Sequence, residues 1–243
     1  MQKETDTWYT AWFDTPYYHI LYKDRDYEEA GLFMKELTSY LNLSTGAEIL
    51  DLACGKGRHS KHLSNMGYRV TGVDLSETSI AYAKQFEHEH LHFEVHDMCL
   101  PYPKKFDAVF NLFTSFGYFE KENDNLQTIK AIKEELKPNG YGVIDFLNMD
   151  YIAKNLVPSE VKTVDGIDFY MKRYFENGYL FKDIRFTHEN KRHFYTERVK
   201  ALTLEDFKAY FQEAGVTLVN RFGDYHLNAF DKENSERLIL IFN

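Results

Sequence analysis

The fold class this sequence predicts is α/β: a doubly wound, mostly parallel sheet interrupted late in the chain by an antiparallel β-meander. Three observations predict it. From residue 47 to residue 147, short apolar runs alternate with amphipathic stretches of helical length. One of those runs ends in an acid and dissolves into small residues and glycines, LDLACGKGRHS at Leu50–Ser60. Residues Val161–Lys200 then change to a period of two, with turn pairs at Asp165-Gly166, Asn177-Gly178 and Glu189-Asn190.

The elements follow in order. A helix is expected over Asp26–Tyr40, because Ala30, Phe33, Met34, Leu37 and Leu41 recur at three- and four-residue spacing. AEILDLA has the continuous apolar character of a strand buried on both faces. Helices over Gly57–Asn65, Glu77–Gln85 and Asn125–Leu136 alternate with strands over Tyr68–Asp74, Leu91–Val95, Phe106–Leu112 and Tyr141–Leu147. The turn Lys137-Pro138-Asn139-Gly140 marks the entry to the fifth strand. After the meander, Thr203 before LEDFKAYFQEAG reads as an N-cap, with Glu205 and Asp206 in the first turn and Gly215 past the end. Strands near Val216–Phe222 and Arg237–Phe242 complete a seven-stranded sheet.

Composition narrows the functional class. At 243 residues and 44% hydrophobic the chain can bury a substantial core. A formal charge of -9 disfavours a general affinity for nucleic acid, because polyphosphate binding is driven by Lys and Arg releasing counterions. The opening MQKETDTWYT does not resemble a signal peptide, and no apolar run approaches the roughly 18 residues that span a bilayer, so a cytoplasmic location without membrane attachment is expected. Two cysteines, Cys54 and Cys99, are too few for a disulfide scaffold and lack zinc-like spacing.

A strand, then glycines, then a helix presents backbone N–H groups to a ligand above the strand's carboxyl edge. A dinucleotide fingerprint needs a third glycine, where Ser60 stands; a P-loop needs Ser or Thr after Gly55-Lys56, where Gly57 stands. Asp51-x-Ala-Cys-Gly-x-Gly instead resembles the first motif of the class I S-adenosylmethionine-dependent methyltransferases. FDAVFNLFTSFGYF resembles their fourth-strand motif, and LKPNGYGVIDF their entry into the fifth strand. Ala53 departs from the glycine many members carry there. The resemblance spans most of the chain and implies a Rossmann-like sheet with an antiparallel last strand.

It also implies S-adenosyl-L-methionine as cofactor, held by Asp51, Ala53, Gly55, Gly57, Arg58, Asp74, Leu75, Asp97, Met98, Asn111 and Leu112. Asp74 would accept both ribose hydroxyls, since two oxygens on one carboxylate suit a vicinal diol. Asp97 and the backbone beside Met98 would bind the adenine, and Arg58 would lie near the methionine carboxylate. Asp51 would meet the methionine ammonium, directly or through water, or else cap nearby amides. One methyltransferase domain over 1–243 is implied: an N-terminal aromatic and helical cap (1–40), a core (41–150 and 201–243) and an inserted β lid (151–200).

No catalytic residue is diagnosed. A hydroxyl or ammonium acceptor requires a base, for which His193, Glu197, Tyr225, His226 and His19 are candidates without a defining motif. No metal is expected: His88, His90, His92 and His96 resemble a cluster, but on an edge strand solvated histidines are ordinary. The aromatics Trp8, Tyr9, Trp12, Phe13, Tyr17, Tyr18 and Tyr22 either dock the N-terminal segment as core or line the donor pocket. The meander, with Phe169, Tyr170, Tyr174, Phe175, Tyr179 and Phe181, either roofs the acceptor pocket or forms a homodimer interface. The expected acceptor is an O or N atom of a small molecule. The alternatives are tRNA, a protein, or no acceptor at all in a protein that only binds S-adenosylmethionine or S-adenosylhomocysteine.

Overall fold

The computed structural model describes residues 12–23, 27–119 and 121–243. Trp8 and Tyr9 lie outside them. The described chain forms two compact units, Asp26–Ile152 with Leu202–Asn243, and the described part of Met1–Arg25 with Ala153–Ala201.

The larger unit begins with α2 (Tyr27–Tyr40), after α1 (Pro16–Leu21) of the smaller one. It continues through β1 (Glu48–Leu52), α3 (Arg58–Asn65), β2 (Arg69–Asp74), α4 (Glu77–Ala83), β3 (Leu91–Val95), β4 (Phe106–Asn111), α5 (Glu122–Glu135) and β5 (Leu136–Leu147). A seven-residue helix, α6 (Met149–Asn155), runs into the smaller unit's β6 (Ser159–Val164), β7 (Ile167–Glu176), β8 (Tyr179–His188) and β9 (Lys191–Lys200). The chain returns through α7 (Leu204–Ala214), β10 (Leu218–Phe222) and β11 (Arg237–Phe242).

The seven-stranded sheet has the order β10-β11-β5-β4-β1-β2-β3. Its first five strands in sequence pair in parallel, and β11 runs antiparallel to both β5 and β10. This is the predicted fold class, with the antiparallel strand last in the chain. Helix α2 belongs to this core, since Phe33, Met34 and Leu37 are buried with Ile49, Val70, Phe93 and Ile241. Helix α7 has the expected start, with the Thr203 hydroxyl accepting from the Asp206 amide, the Asp206 carboxylate accepting from Thr203 in return, and Gly215 left-handed at the end.

Boundaries differ where local chemistry was ambiguous. Strand β5 begins at Leu136, which pairs with Phe106; Lys137–Gly140 then bulge out around left-handed Asn139, and pairing resumes at Ala108 and Tyr141. Helix α5 starts one turn before the expected Asn125, and α4 tightens at Lys84–Phe86 into a 3-10 turn. Helices α1 and α6 were not foreseen, because six or seven residues are too few to display a period.

Glu135, fully buried at the end of α5, accepts from the Tyr102 amide through one oxygen; burial raises its pKa to about 7. Its unfolded carboxyl ionises near pH 4, so the folded chain holds an extra proton between about pH 4 and 7, and stability falls as pH rises through that window. Glu135→Gln keeps the acceptor oxygen without the charge and is expected to raise stability by about 1 kcal/mol at pH 8. Urea titrations at pH 5 and pH 8 check this; a larger gain at pH 5 than at pH 8 would contradict it.

The smaller unit is the antiparallel sheet β6-β7-β8-β9. Its three hairpin turns, Asp165-Gly166, Asn177-Gly178 and Glu189-Asn190, have positive φ at both central residues, the geometry that matches strand twist. One face is covered by the N-terminal segment: Trp12 and Leu21 are buried against Phe169, Met171, Ile184 and Phe186. The Trp12 indole N–H donates to Glu197 Oε1 at 2.7 Å, and the Tyr22 hydroxyl donates to the same oxygen at 2.6 Å. On the other face, register aligns Val161, Tyr170, Arg185 and Phe194 in one row across the four strands, and its three apolar members are each more than half exposed.

Candidate functional site

The larger unit brings the acids of three adjacent strands to the carboxyl edge of its sheet. Asp51 near the end of β1 aligns with Gly72, Asp74 closes β2, and Asp97 follows β3 by two residues. In between runs the glycine loop. Ala53, Gly55 and Gly57 all have positive φ, at 56°, 54° and 75°. For Ala53 this is the strained form of a conformation glycine adopts freely.

The two glycines do different things. A Cβ at Gly55 would meet no atom within 4 Å, so this stretch of backbone is open to a ligand. A Cβ at Gly57 would lie 2.4 Å from the Phe93 ring, so Gly57 lets the start of α3 approach β3. Gly57→Ala is expected to cost about 2 kcal/mol of stability from overpacking and left-handed strain together. Thermal unfolding of the cofactor-free protein reads this, and an unchanged melting temperature would refute it.

Hydrogen bonds set the loop. The Gly55 amide donates to Asp74 Oδ2 and the Ser76 amide to Asp74 Oδ1, each at 2.8 Å, so one carboxylate pins the glycine loop and the start of the turn into α4. Ser60, at the place of the absent third glycine, is fully buried and donates to Asp51 Oδ2 at 2.6 Å. This buried donor is one that the sequence marked only as a missing glycine. Burial raises the Asp51 pKa to about 7, against the lowering effect of the Ser60 bond. Burial likewise pushes the Cys54 thiol well above its ordinary value, which removes it as a nucleophile.

The remaining expected residues are distributed along the same edge. The Asp97 Oδ1 accepts from the Cys99 amide at 2.9 Å. Leu75 is half exposed, whereas Leu112 is buried. Asn111, fully buried at the end of β4, places its Nδ2 3.5 Å from both the Leu52 carbonyl and Met98 Sδ, and its Oδ1 has no hydrogen-bond partner among the described residues. Arg58 at the first position of α3 donates to His59 Nε2, and the His59 ring stacks on Phe113 at 4.1 Å.

The loop after β4 carries a feature with no sequence signal. Phe113 and Thr114 have φ of 58° and 61°, and Thr is β-branched; such residues cost about 1–3 kcal/mol each in this region unless restrained. The restraint is a buried network. Asp145, fully buried on β5, accepts from the Phe113 amide, from the Tyr225 hydroxyl and from the Arg237 guanidinium. The partners come from residues 32, 80 and 92 positions away, which is why no local motif announces them.

Of the candidate bases, Tyr225 is a donor here: burial, with the Asp145 carboxylate beside it, pushes its pKa up, so the hydroxyl keeps its proton and offers no phenolate as a base. His226 is exposed in the same loop. His19, His193 and Glu197 belong to the smaller unit, where His193 stacks on Phe186 with the Tyr17 ring tilted against it, and Glu197 accepts from Trp12 and Tyr22. Among the described residues no group of three His, Cys, Asp or Glu could hold a metal ion, and no helix is long and apolar enough to cross a membrane.

A family described as a methyltransferase domain matches residues 49–140, the segment from β1 through the bulge of β5. The Bacillus subtilis protein YqeM, grouped by name with the methyltransferases, is 36% identical over 117 residues, 46% of this chain and 47% of that one. A Geobacillus protein with a methyltransferase name is 25% identical over 237 residues, 93% of this chain and 96% of its own. Residues 49–140 of the chain thus match a methyltransferase domain. A methyltransferase of that cofactor class from Clostridium acetobutylicum shares the fold, with a TM-score of 0.79 at 23% identity over 93% of this chain and 95% of its own. A Streptomyces venezuelae relative, named as an N,N-dimethyltransferase of a dTDP-linked amino sugar, is 31% identical over 49% of this chain and 51% of its own. The chain spans only about half the length of several curated relatives that it matches.

The residues present fit the family's cofactor. The oxygen of buried Asn111 has no hydrogen-bond partner among the described residues, and the Gly55 backbone is open to close approach.

Proposed function

We propose that this protein transfers a methyl group from S-adenosylmethionine to an O or N atom of a small molecule, with an amine nitrogen as the favoured acceptor. The observation that carries the reading is the set of acids at the carboxyl ends of three adjacent strands, Asp51, Asp74 and Asp97, beside a glycine loop whose Gly55 is open. Asp74 would hold the ribose hydroxyls, and Asp97 with the backbone at Met98 the adenine, with Leu75 and Leu112 as apolar flanks. Asp51 and Asn111 would meet the methionine ammonium, beside the backbone of Ala53, Gly55 and Gly57, and Arg58 would serve the carboxylate. When bound, the cofactor supplies a methyl already activated on a sulfonium. The chain's own task is to hold donor and acceptor in line and keep water out, an orientation effect worth about 7–11 kcal/mol.

The amine preference is supported by the amino-sugar N,N-dimethyltransferases among the relatives. The small-molecule preference is supported by the acidic balance of the chain. Labelled S-adenosylmethionine should be incubated with the protein and separate acceptor sets: dTDP-amino sugars, glycine, phenols, bulk tRNA and a protein extract. Label in the amines is expected. Label only in tRNA or protein would sink the small-molecule reading, and S-adenosylhomocysteine binding without transfer to any set would favour a sensor. The domain reading stays one methyltransferase domain over 1–243, with the 161–200 meander as either an acceptor lid or a homodimer face. The homodimer suggested by its aromatic residues is tested by sedimentation of the full chain, where a monomer at tens of micromolar would remove it.

A further inference from the structure

We propose that the buried Asp145–Arg237 pair is a positioning device that holds the loop after β4 in the conformation methyl transfer requires. The inference rests on the methyl-transfer reading above. Two consecutive non-glycine residues in the left-handed region do not stay there unaided, least of all a threonine. Here the side-chain hydrogen bonds that hold them run to one carboxylate and one guanidinium, and a backbone bond joins the same Asp145. The Phe113 amide donates to Asp145 Oδ2 at 2.8 Å, and the Thr114 amide to the Asp145 carbonyl at 3.1 Å. Arg237 Nη2 donates to Thr114 Oγ1 at 2.8 Å while the same nitrogen and Nε hold Asp145 Oδ1 at 2.6 and 2.9 Å. The Tyr225 hydroxyl donates to Asp145 Oδ2 at 3.2 Å.

Stability alone is a poor reason for this arrangement. A buried ion pair loses in desolvation much of what it gains in attraction, and apolar residues of similar volume often replace one without loss. What apolar residues cannot do is fix an amide N–H and a hydroxyl at set points. The points being fixed lie at the carboxyl end of β4, directly after Asn111 and Leu112, where an open α/β sheet receives its ligands. The Phe113 ring is stacked on His59, the second residue of the helix that follows the glycine loop. The loop after β4 is thereby set against the donor loop, and Asp145 and Arg237 determine how.

The test is the double variant Asp145→Leu/Arg237→Met, which removes the charges together. Its melting temperature is expected to match or exceed the wild type, while amide hydrogen exchange at Phe113 accelerates at least tenfold. Affinity for S-adenosylhomocysteine should stay within threefold, and kcat with whichever amine accepts label should fall at least tenfold at unchanged KM for S-adenosylmethionine. Should the double variant not fold, Thr114→Val, which lacks only the hydroxyl, is expected to accelerate exchange at Phe113, and Thr114→Ser to leave it at the wild-type rate. A folded double variant with wild-type exchange at Phe113, or a Thr114→Val indistinguishable from Thr114→Ser, overturns the proposal. Failure of the wild type to bind S-adenosylhomocysteine overturns the methyl-transfer reading instead, and the exchange measurements still decide whether the pair holds the loop.

Discussion

Asp74→Ala is expected to weaken S-adenosylhomocysteine binding about 100-fold while leaving a folded protein. A carboxylate accepting from two ribose hydroxyls makes two charge-assisted hydrogen bonds of about 1.5–3 kcal/mol each, and part of that is recovered by water in the variant, leaving a loss of about 3 kcal/mol. The variant also frees the Gly55 and Ser76 amides that Asp74 holds, so its stability should fall by about 1 kcal/mol. Asp74→Asn removes the charge but keeps only one acceptor oxygen, so it retains one of the two backbone bonds, from Gly55 or from Ser76, and its stability should lie between those of the wild type and Asp74→Ala. Titration calorimetry on both variants, with circular dichroism to confirm folding, is the measurement. Wild-type affinity in a folded Asp74→Ala protein would remove this residue from the site.

The second large effect is the dependence of stability and affinity on Asp51 ionisation. Its folded pKa of about 7 lies roughly three units above that of an unfolded aspartate, which ionises near 4. Between those values the unfolded chain has released the proton and the folded chain keeps it. The contribution to stability is therefore full below about pH 4, is lost as pH rises toward 7, and is flat above 7, with a ceiling of about 4 kcal/mol. Asp51→Asn should accordingly stabilise the cofactor-free protein at pH 8 by about 2–4 kcal/mol and flatten its stability between pH 5 and 7, leaving the Glu135 contribution in the same window. The opposite trend is expected for binding. An ionised Asp51 attracts the cofactor's ammonium, so S-adenosylhomocysteine affinity in the wild type should rise from pH 6 to pH 7.5, and Asp51→Asn should abolish that rise. A variant that is less stable than the wild type at pH 8, or a wild-type affinity flat in pH, would show that Asp51 only caps its neighbours. Such a trade of stability for a charged group at a ligand edge is a recurrent cost of binding sites.

The parallel sheet, the meander and the acid-bearing edge of the sheet were legible along the chain. Each is written in local signals: apolar runs of strand length, turn pairs such as Asn177-Gly178 that accept positive φ, a capping box at Thr203, and an acid closing or following each of the first three strands. Short-range physics acts within a few residues, so a one-dimensional reading can see it. The bulge at Lys137–Gly140 was legible as a turn but not as an interruption inside a strand, because the pairing of Leu136 with Phe106 depends on the neighbouring chain. Only the tertiary structure decided the roles of Ser60, Asp145, Tyr225 and Arg237. Ser60 becomes a donor to Asp51 when α3 packs down across Gly57, and Asp145 meets Arg237 through the pairing of β5 with β11, 92 residues apart. The left-handed pair Phe113-Thr114 runs against its own residue preferences, and what overrides them is a buried charge network that no spacing along the chain encodes.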